Sequence, residues 1–207
     1  MLPCPTRADA AAAVDEARRL ADGLDPRLRY HDARHTFAEV LPAARELAAA
    51  EGLDERDAAL VEVAAAWHDL GLLETRSGHE RAGVRMVRER LPRHGFSPEE
   101  VDAVAGMILA TRLPQRPTTA AERVLADADL AVLAADDFLD RNEDLRLETS
   151  LLDGWRPRVA WWLAQRRFLL AHADHTAAAR ERYAARRRRN ADALARRARA
   201  FLANPDA

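Results

Sequence analysis

Apolar residues return every three or four positions along almost the whole chain, with Arg, Glu and Asp filling the places between them. That spacing predicts amphipathic helices at about 7–22, 32–50, 54–70, 78–91, 97–111, 119–134, 135–149, 156–172 and 175–202. Ala, Leu, Arg and Glu dominate these segments, and all four are good helix formers. Runs in which Val, Ile, Thr and aromatic residues alternate with polar ones are missing, so no strand is expected. The predicted fold class is all-α.

Several boundaries carry chemical signatures. Ser97-Pro98-Glu99-Glu100 reads as a capping box, with Ser97 as N-cap, Pro98 in the first helical position and Glu100 at the third. Asp54 can cap the helix that follows Gly52, and Gly71 can end that helix just past His68-Asp69. Pro114 and Pro117 mark a loop between the fifth and sixth segments.

Length and composition bound the architecture. The 207 residues suit one domain, and neither an internal repeat nor a Gly/Ser linker divides them. The expected organisation is an N-terminal helix and lead-in over 1–29, a helical core over 30–175, and a basic C-terminal helix over 176–207 packed on, or extending from, the same domain. Hydrophobic residues make up 48% and charged residues 32%, a globular profile. All 32 basic residues are Arg, which together with the abundance of Ala points to coding bias. A formal net charge of -2 argues against nucleic acid as a partner. The single cysteine, Cys4, excludes an internal disulfide framework and fits a reducing compartment. With no apolar run approaching the ~18 residues of a membrane span and no secretory N-terminus, a cytoplasmic protein without membrane contact is expected.

Candidate chemistry rests on histidines and buried acids. His31 and His35 stand four apart on a predicted helix and would share a face, unless the segment is only a helix start capped by Asp32. His68-Asp69 ends the apolar run LVEVAAAW, where burial is costly unless each group finds a partner. A bound cation would serve both; the helix C-terminus and a local turn are the alternative. Asp127 and Asp129 interrupt another apolar helix, and two positions apart only one of them can face a given pocket. His79 opens the segment HERAGVRMVRERL as a further ligand, a phosphate contact or an ordinary first-turn residue. Taken in order, His35, His68-Asp69 and Asp129 fall on three separate helices. Mixed imidazole and carboxylate donors suit borderline divalent ions such as Mn²⁺, Fe²⁺, Zn²⁺ or Co²⁺. Trp155, Trp161, Trp162 and Phe168 read as packing of the late helices, and His172 and His175 as helix-junction or surface residues. Arg186 to Arg189 read as a solvated helix face.

This order, with the contexts YHDARHTFAEV, AWHDLG and DADLAVL, resembles the HD superfamily of metal-dependent phosphohydrolases. The chain is most similar to its small bacterial predicted hydrolases, and the likeness extends through GHERAG and MILATR toward FLLAHADHTAAAR. The resemblance implies an HD-type helical bundle and a divalent metal (Mn, Fe, Zn, Co or Mg) on His35, His68, Asp69 and Asp129, which selects Asp129 over Asp127. YHDARH is also similar to the signature of cyclic-nucleotide phosphodiesterases, and it implies that His31 is a general acid and His35 a ligand. Asp69 would orient the attacking water as well as bind metal. Two-metal members carry two further histidines; His79 matches one, whereas Thr111 and Arg112 stand where the other would fall. His79 and Arg112 are therefore expected to bind substrate or complete a second metal site, Arg112 through a substrate phosphate. The implied activity is hydrolysis of a phosphoester, on a nucleotide or another small phosphorylated metabolite. A di-iron oxygenase and a non-catalytic nucleotide-binding or sensing module are the alternatives.

Overall fold

The computed structural model of the chain describes residues 7–204, so Cys4 lies outside the described residues. Nine α-helices and no strand form among them: α1 (Arg7–Ala21), α2 (Leu41–Ala50), α3 (Glu55–Trp67), α4 (His79–Arg90), α5 (Pro98–Ala110), α6 (Ala120–Asp129), α7 (Phe138–Leu152), α8 (Arg158–Ala171) and α9 (Ala177–Ala203). The fold is all-α. No helix of the described residues is long and apolar enough to cross a membrane.

Local chemistry sets the helix ends. Asp54 caps α3 by accepting the Asp57 N–H at 2.8 Å. Ser97 and Glu100 form the reciprocal capping box of α5, at 3.3 Å and 2.9 Å. Thr119 and Glu122 form a second box at α6. Several predicted helices are shorter than their apolar period. The one expected over 54–70 stops at Trp67 and passes into a 3₁₀ turn at Leu70–Leu73, and the one over 119–134 breaks after Asp129. Both breaks place an Asp beside a helix C-terminus. Gly71 does not end α3 as a left-handed cap. Its role is space: a Cβ there would collide with the His79 carbonyl oxygen and lie 2.6 Å from the Gly83 nitrogen. Gly78 does take the left-handed conformation (φ 71°) and starts α4 directly before His79.

The described residues fall into two compact units, 7–25 with 31–130, and 26–30 with 131–204. In the first, α3 is the central helix and packs against α1, α2, α5 and α6. Leu60, Val61, Val63 and the run Ala64–Trp67 are buried, as the nearly uniform apolar sequence requires. Trp67 donates its indole N–H to the Ala13 carbonyl at 3.0 Å, so even its one polar atom is satisfied. Glu16 of α1 accepts from Arg90 at 2.7 Å and pairs with His94 at 2.5 Å, fastening α1 to the end of α4.

The second unit is built on α7, α8 and α9, with α8 packed along α9. The buried Arg141 holds the short segment that precedes His31: its guanidinium donates to the Tyr30 carbonyl at 2.8 Å and lies 4.8 Å above the Tyr30 ring. Glu148 accepts the Tyr30 N–H at 2.8 Å. Two expectations for this region need correction. Trp162 packs edge-to-face on Phe201 at 5.8 Å, but Trp155 is 71% exposed, lying beyond the end of α7 in the turn before α8. Arg187 is not part of a solvated face; it is buried, and its charge is paired with Asp174 at 2.6 Å.

Candidate metal centre

Three chain segments of the first unit bring the histidines and acids together. His35 stands at the start of a π-helical segment, His35–Val40, that runs directly into α2. π-helical turns are rare and are found frequently at functional sites. Asp32 accepts the His35 N–H at 2.9 Å, which caps the segment and leaves His31 outside it. His31 and His35 therefore do not share a helix face. Their rings still meet edge-on, with centroids 5.9 Å apart, because the chain bends at residues 29–32. His68 is the C-cap of α3, Asp69 follows it, and Asp129 is the last residue of α6.

The donor atoms converge. His35 Nε2 lies 3.3 Å from Asp129 Oδ1 and 3.8 Å from Asp69 Oδ2. His68 Nε2 lies 3.2 Å from Asp69 Oδ2 and 3.6 Å from Asp129 Oδ1. Ligand atoms ~2.0–2.2 Å from a common ion stand roughly 3–3.5 Å from one another. His35, His68 and Asp129 each offer an atom within 4.8 Å of the other two, and Asp69 stands beside this group through its approach to His68. His35, His68 and Asp69 are buried, and Asp129 is mostly so. His68 Nε2 and Asp69 Oδ2 make no hydrogen bond despite their burial. Orphaned buried polar atoms of this kind are costly, and a cation between them removes the cost. Because α3 and α6 both end here, the negative poles of two helices add to the preference for positive charge.

Each imidazole is held so that Nε2 faces inward. His68 Nδ1–H donates to the Ala65 carbonyl at 2.8 Å, His79 Nδ1–H to the Arg76 carbonyl at 3.3 Å, and His35 Nδ1–H to Glu39 Oε2 at 3.2 Å. Neutral rings in these tautomers present lone pairs to two carboxylates, which is stable only if a proton or an ion intervenes. The titration behaviour expresses the same need. Burial works against the charged form of His35, but Asp129, Glu39 and Asp69 outweigh it and push its pKa up to about 9. Burial likewise opposes charge on His68, and Asp69 and Asp129 overcome it and raise its pKa well above the usual histidine range. Burial would raise both acids, yet the facing histidines hold Asp69 well below the carboxylate range and Asp129 down to about 2.

His79 approaches from the other side of Asp69, with Nε2 3.3 Å from Oδ1. Burial lowers the affinity of His79 for a proton, but Asp69 dominates and raises it. The His31 and His79 rings are 6.4 Å apart, so His31 sits at the same margin. Asp127 is buried but contributes no atom to the His35–His68–Asp129 donor group, whose atoms all lie within 4.8 Å of one another. Arg112 is not brought to the cluster. It is exposed and lines a pocket of about 430 Å³ with Leu109, Leu113 and Arg116, and none of the cluster residues lines that pocket. Glu39 is the participant that sequence reasoning misses. Its position four residues after His35 is the available signal, since that spacing brings side chains together along a helical turn.

Residues 33–132 match the family model of the HD domain, and this span contains His35, His68, Asp69, His79 and Asp129. The chain is similar to the crystal structure of a predicted HD superfamily hydrolase from an uncultured Thermotogales bacterium, with 26% identity and a TM-score of 0.51 over 78% of this chain and 84% of that one. No curated protein matches it in sequence. With the family model spanning His35, His68, Asp69, His79 and Asp129 and a solved structure of a predicted HD superfamily hydrolase covering most of its length, residues 33–132 are an HD domain and an HD-superfamily assignment of the chain is supported.

Proposed function

We propose that this chain is a metal-dependent phosphohydrolase, cleaving a phosphoester of a nucleotide or another small phosphorylated metabolite. The observation that carries the reading is the buried convergence of His35 and His68 Nε2 with Asp69 and Asp129 carboxylate oxygens, inside an HD domain. The likeness to the Thermotogales protein, a predicted HD superfamily hydrolase, supports hydrolysis as the class of reaction. These four residues would hold one divalent ion (Mn, Fe, Zn, Co or Mg). When bound, such an ion polarises a phosphoryl oxygen and lowers the pKa of a coordinated water.

The remaining steps belong to the chain's own groups. Asp69 has a second oxygen, Oδ1, on the His79 side, from which it orients the attacking water. His31 is half-buried at the edge of the cluster and donates a proton to the leaving oxygen. His79 is the first residue of α4, and a helix N-terminus favours an anion. Together with the raised proton affinity of His79, this suits it to contact a substrate phosphate.

A second reading has one observation in its favour. His79 Nε2 lies 3.3 Å from the outer oxygen of Asp69, and the His31 ring lies 6.4 Å from that of His79, which brings further imidazoles to the outer side of Asp69, as a two-iron oxygenase would need. Metal analysis after anaerobic purification separates the two readings: two irons per chain would favour the oxygenase. The phosphohydrolase is tested by a Mn²⁺-supplemented screen of nucleoside mono-, di-, tri- and cyclic phosphates with Asp69→Ala as control. Turnover by the wild type alone is expected, giving phosphate or nucleoside from the acyclic substrates and a nucleoside monophosphate from the cyclic ones. Silence across the screen, with tight nucleotide binding, would point to a sensing module.

A further inference from the structure

We propose that Glu39 is a positioning residue of the metal centre, fixing the His35 ring so that Nε2, and not Nδ1, is offered to the ion; the inference rests on the metal-centre reading above. Three imidazoles turn Nε2 toward the cluster, and each is locked through Nδ1. For His68 and His79 the lock is a backbone carbonyl, which comes with the fold. For His35 it is a side chain, Glu39 Oε2 at 3.2 Å.

The local structure makes the pairing specific. Both residues belong to the π-helical segment His35–Val40, which brings the carboxylate against the ring while His35 itself is buried. The other carboxylate oxygen, Oε1, lies 3.2 Å from Arg34 Nε, so the acid is held from the opposite side by a guanidinium on the adjoining turn. Glu39 supplies no atom to the His35–His68–Asp129 donor group. A carboxylate on the far nitrogen of a ligating histidine sets its tautomer and its orientation and makes it a stronger donor; losing such a partner typically weakens metal affinity by ~10–100-fold.

The test compares Glu39→Gln, which keeps an acceptor for Nδ1–H, with Glu39→Met, which fills the space without one. Co²⁺ is titrated into each metal-free full-length protein and followed by its visible absorption, with His35→Ala as a control and the thermal midpoint of each apo protein measured alongside. Wild type takes up Co²⁺, Glu39→Gln stays within about tenfold of it, and Glu39→Met loses ~10–100-fold and shows a shifted absorption band. Packing alone predicts that Met and Gln behave alike. The inference is overturned if Glu39→Met binds Co²⁺ as tightly as wild type with the same spectrum, or if the two variants lose affinity equally. Wild-type protein that takes up no Co²⁺ would sink the metal-centre reading itself, a different failure from either of these.

Discussion

At the scale of single residues, the close group of His35, His68 and Asp129, with Asp69 beside His68, bounds what each side chain can do. His68 and Asp69 each carry a polar atom with no hydrogen bond, so removing either leaves the other facing the remaining charges alone. His68→Ala and Asp69→Ala are therefore expected to lose both the ion and turnover, as read by elemental analysis and by the phosphoester assay. His31→Ala should keep the ion and slow turnover by ~10²–10⁴-fold, the ordinary size of a general-acid contribution. Loss of metal in that variant would refute the division of roles between His31 and His35. Much of this cluster is legible in the sequence because burial and charge conflict visibly there: His68-Asp69 closes an apolar run, and Asp127 and Asp129 interrupt another. Spacing alone does not choose between those two aspartates. The structure places Asp129 with the histidines because α6 ends at that residue. Arg112 and Arg187 are not legible in the same way, since an arginine's surroundings depend on tertiary placement; the one is exposed and the other is buried against Asp174.

At the scale of elements, the site depends on where helices stop. Apolar periodicity reports the helix but not its last turn, which is why the segments over 54–70 and 119–134 read as longer than α3 and α6 are. The π-helical turn at His35–Val40 is invisible to a pattern of apolar positions, because its first residues serve the site as well as the core. Gly71 is the most readily tested of the element-level devices. It lets the 3₁₀ turn after Asp69 lie directly against the backbone of His79 and Gly83, and any side chain must push those backbones apart. Gly71→Ala is expected to cost about 1–3 kcal/mol or more through overpacking and to displace His79 from Asp69. Thermal denaturation checks the first effect and metal or substrate affinity the second. A variant with wild-type stability would remove close packing as the reason for this glycine. Ser97→Ala, at a capping box far along the chain from the cluster, should cost only ~1 kcal/mol and leave metal uptake unchanged.

For the whole molecule, the cluster couples stability to pH and to metal. The folded state holds the His35 proton up to about 9 against an ordinary 6.5, so this contribution is full below 6.5 and is lost as pH rises through 9. Asp129, held at about 2 against 3.8, contributes above 3.8 and loses its contribution as pH falls through 2. The metal-free protein is thus expected to be most stable between these limits, and its melting temperature in the presence of chelator should fall from pH ~6.5 to ~9. A melting temperature that rises over that range would contradict the charge arrangement. A divalent ion competes with those protons, so its stabilisation should grow with pH over the same interval; at a free concentration of 100 times Kd it amounts to ~2.7 kcal/mol. His35, His68, Asp69 and Asp129 are proposed to form one ion-binding centre. Equilibrium dialysis of the chelator-stripped protein against Mn²⁺, with elemental analysis of wild type and Asp69→Ala side by side, tests it most directly. A bound ion is expected in the wild type and none in the variant. A wild type that retains none, or an Asp69→Ala protein that retains as much, would contradict it.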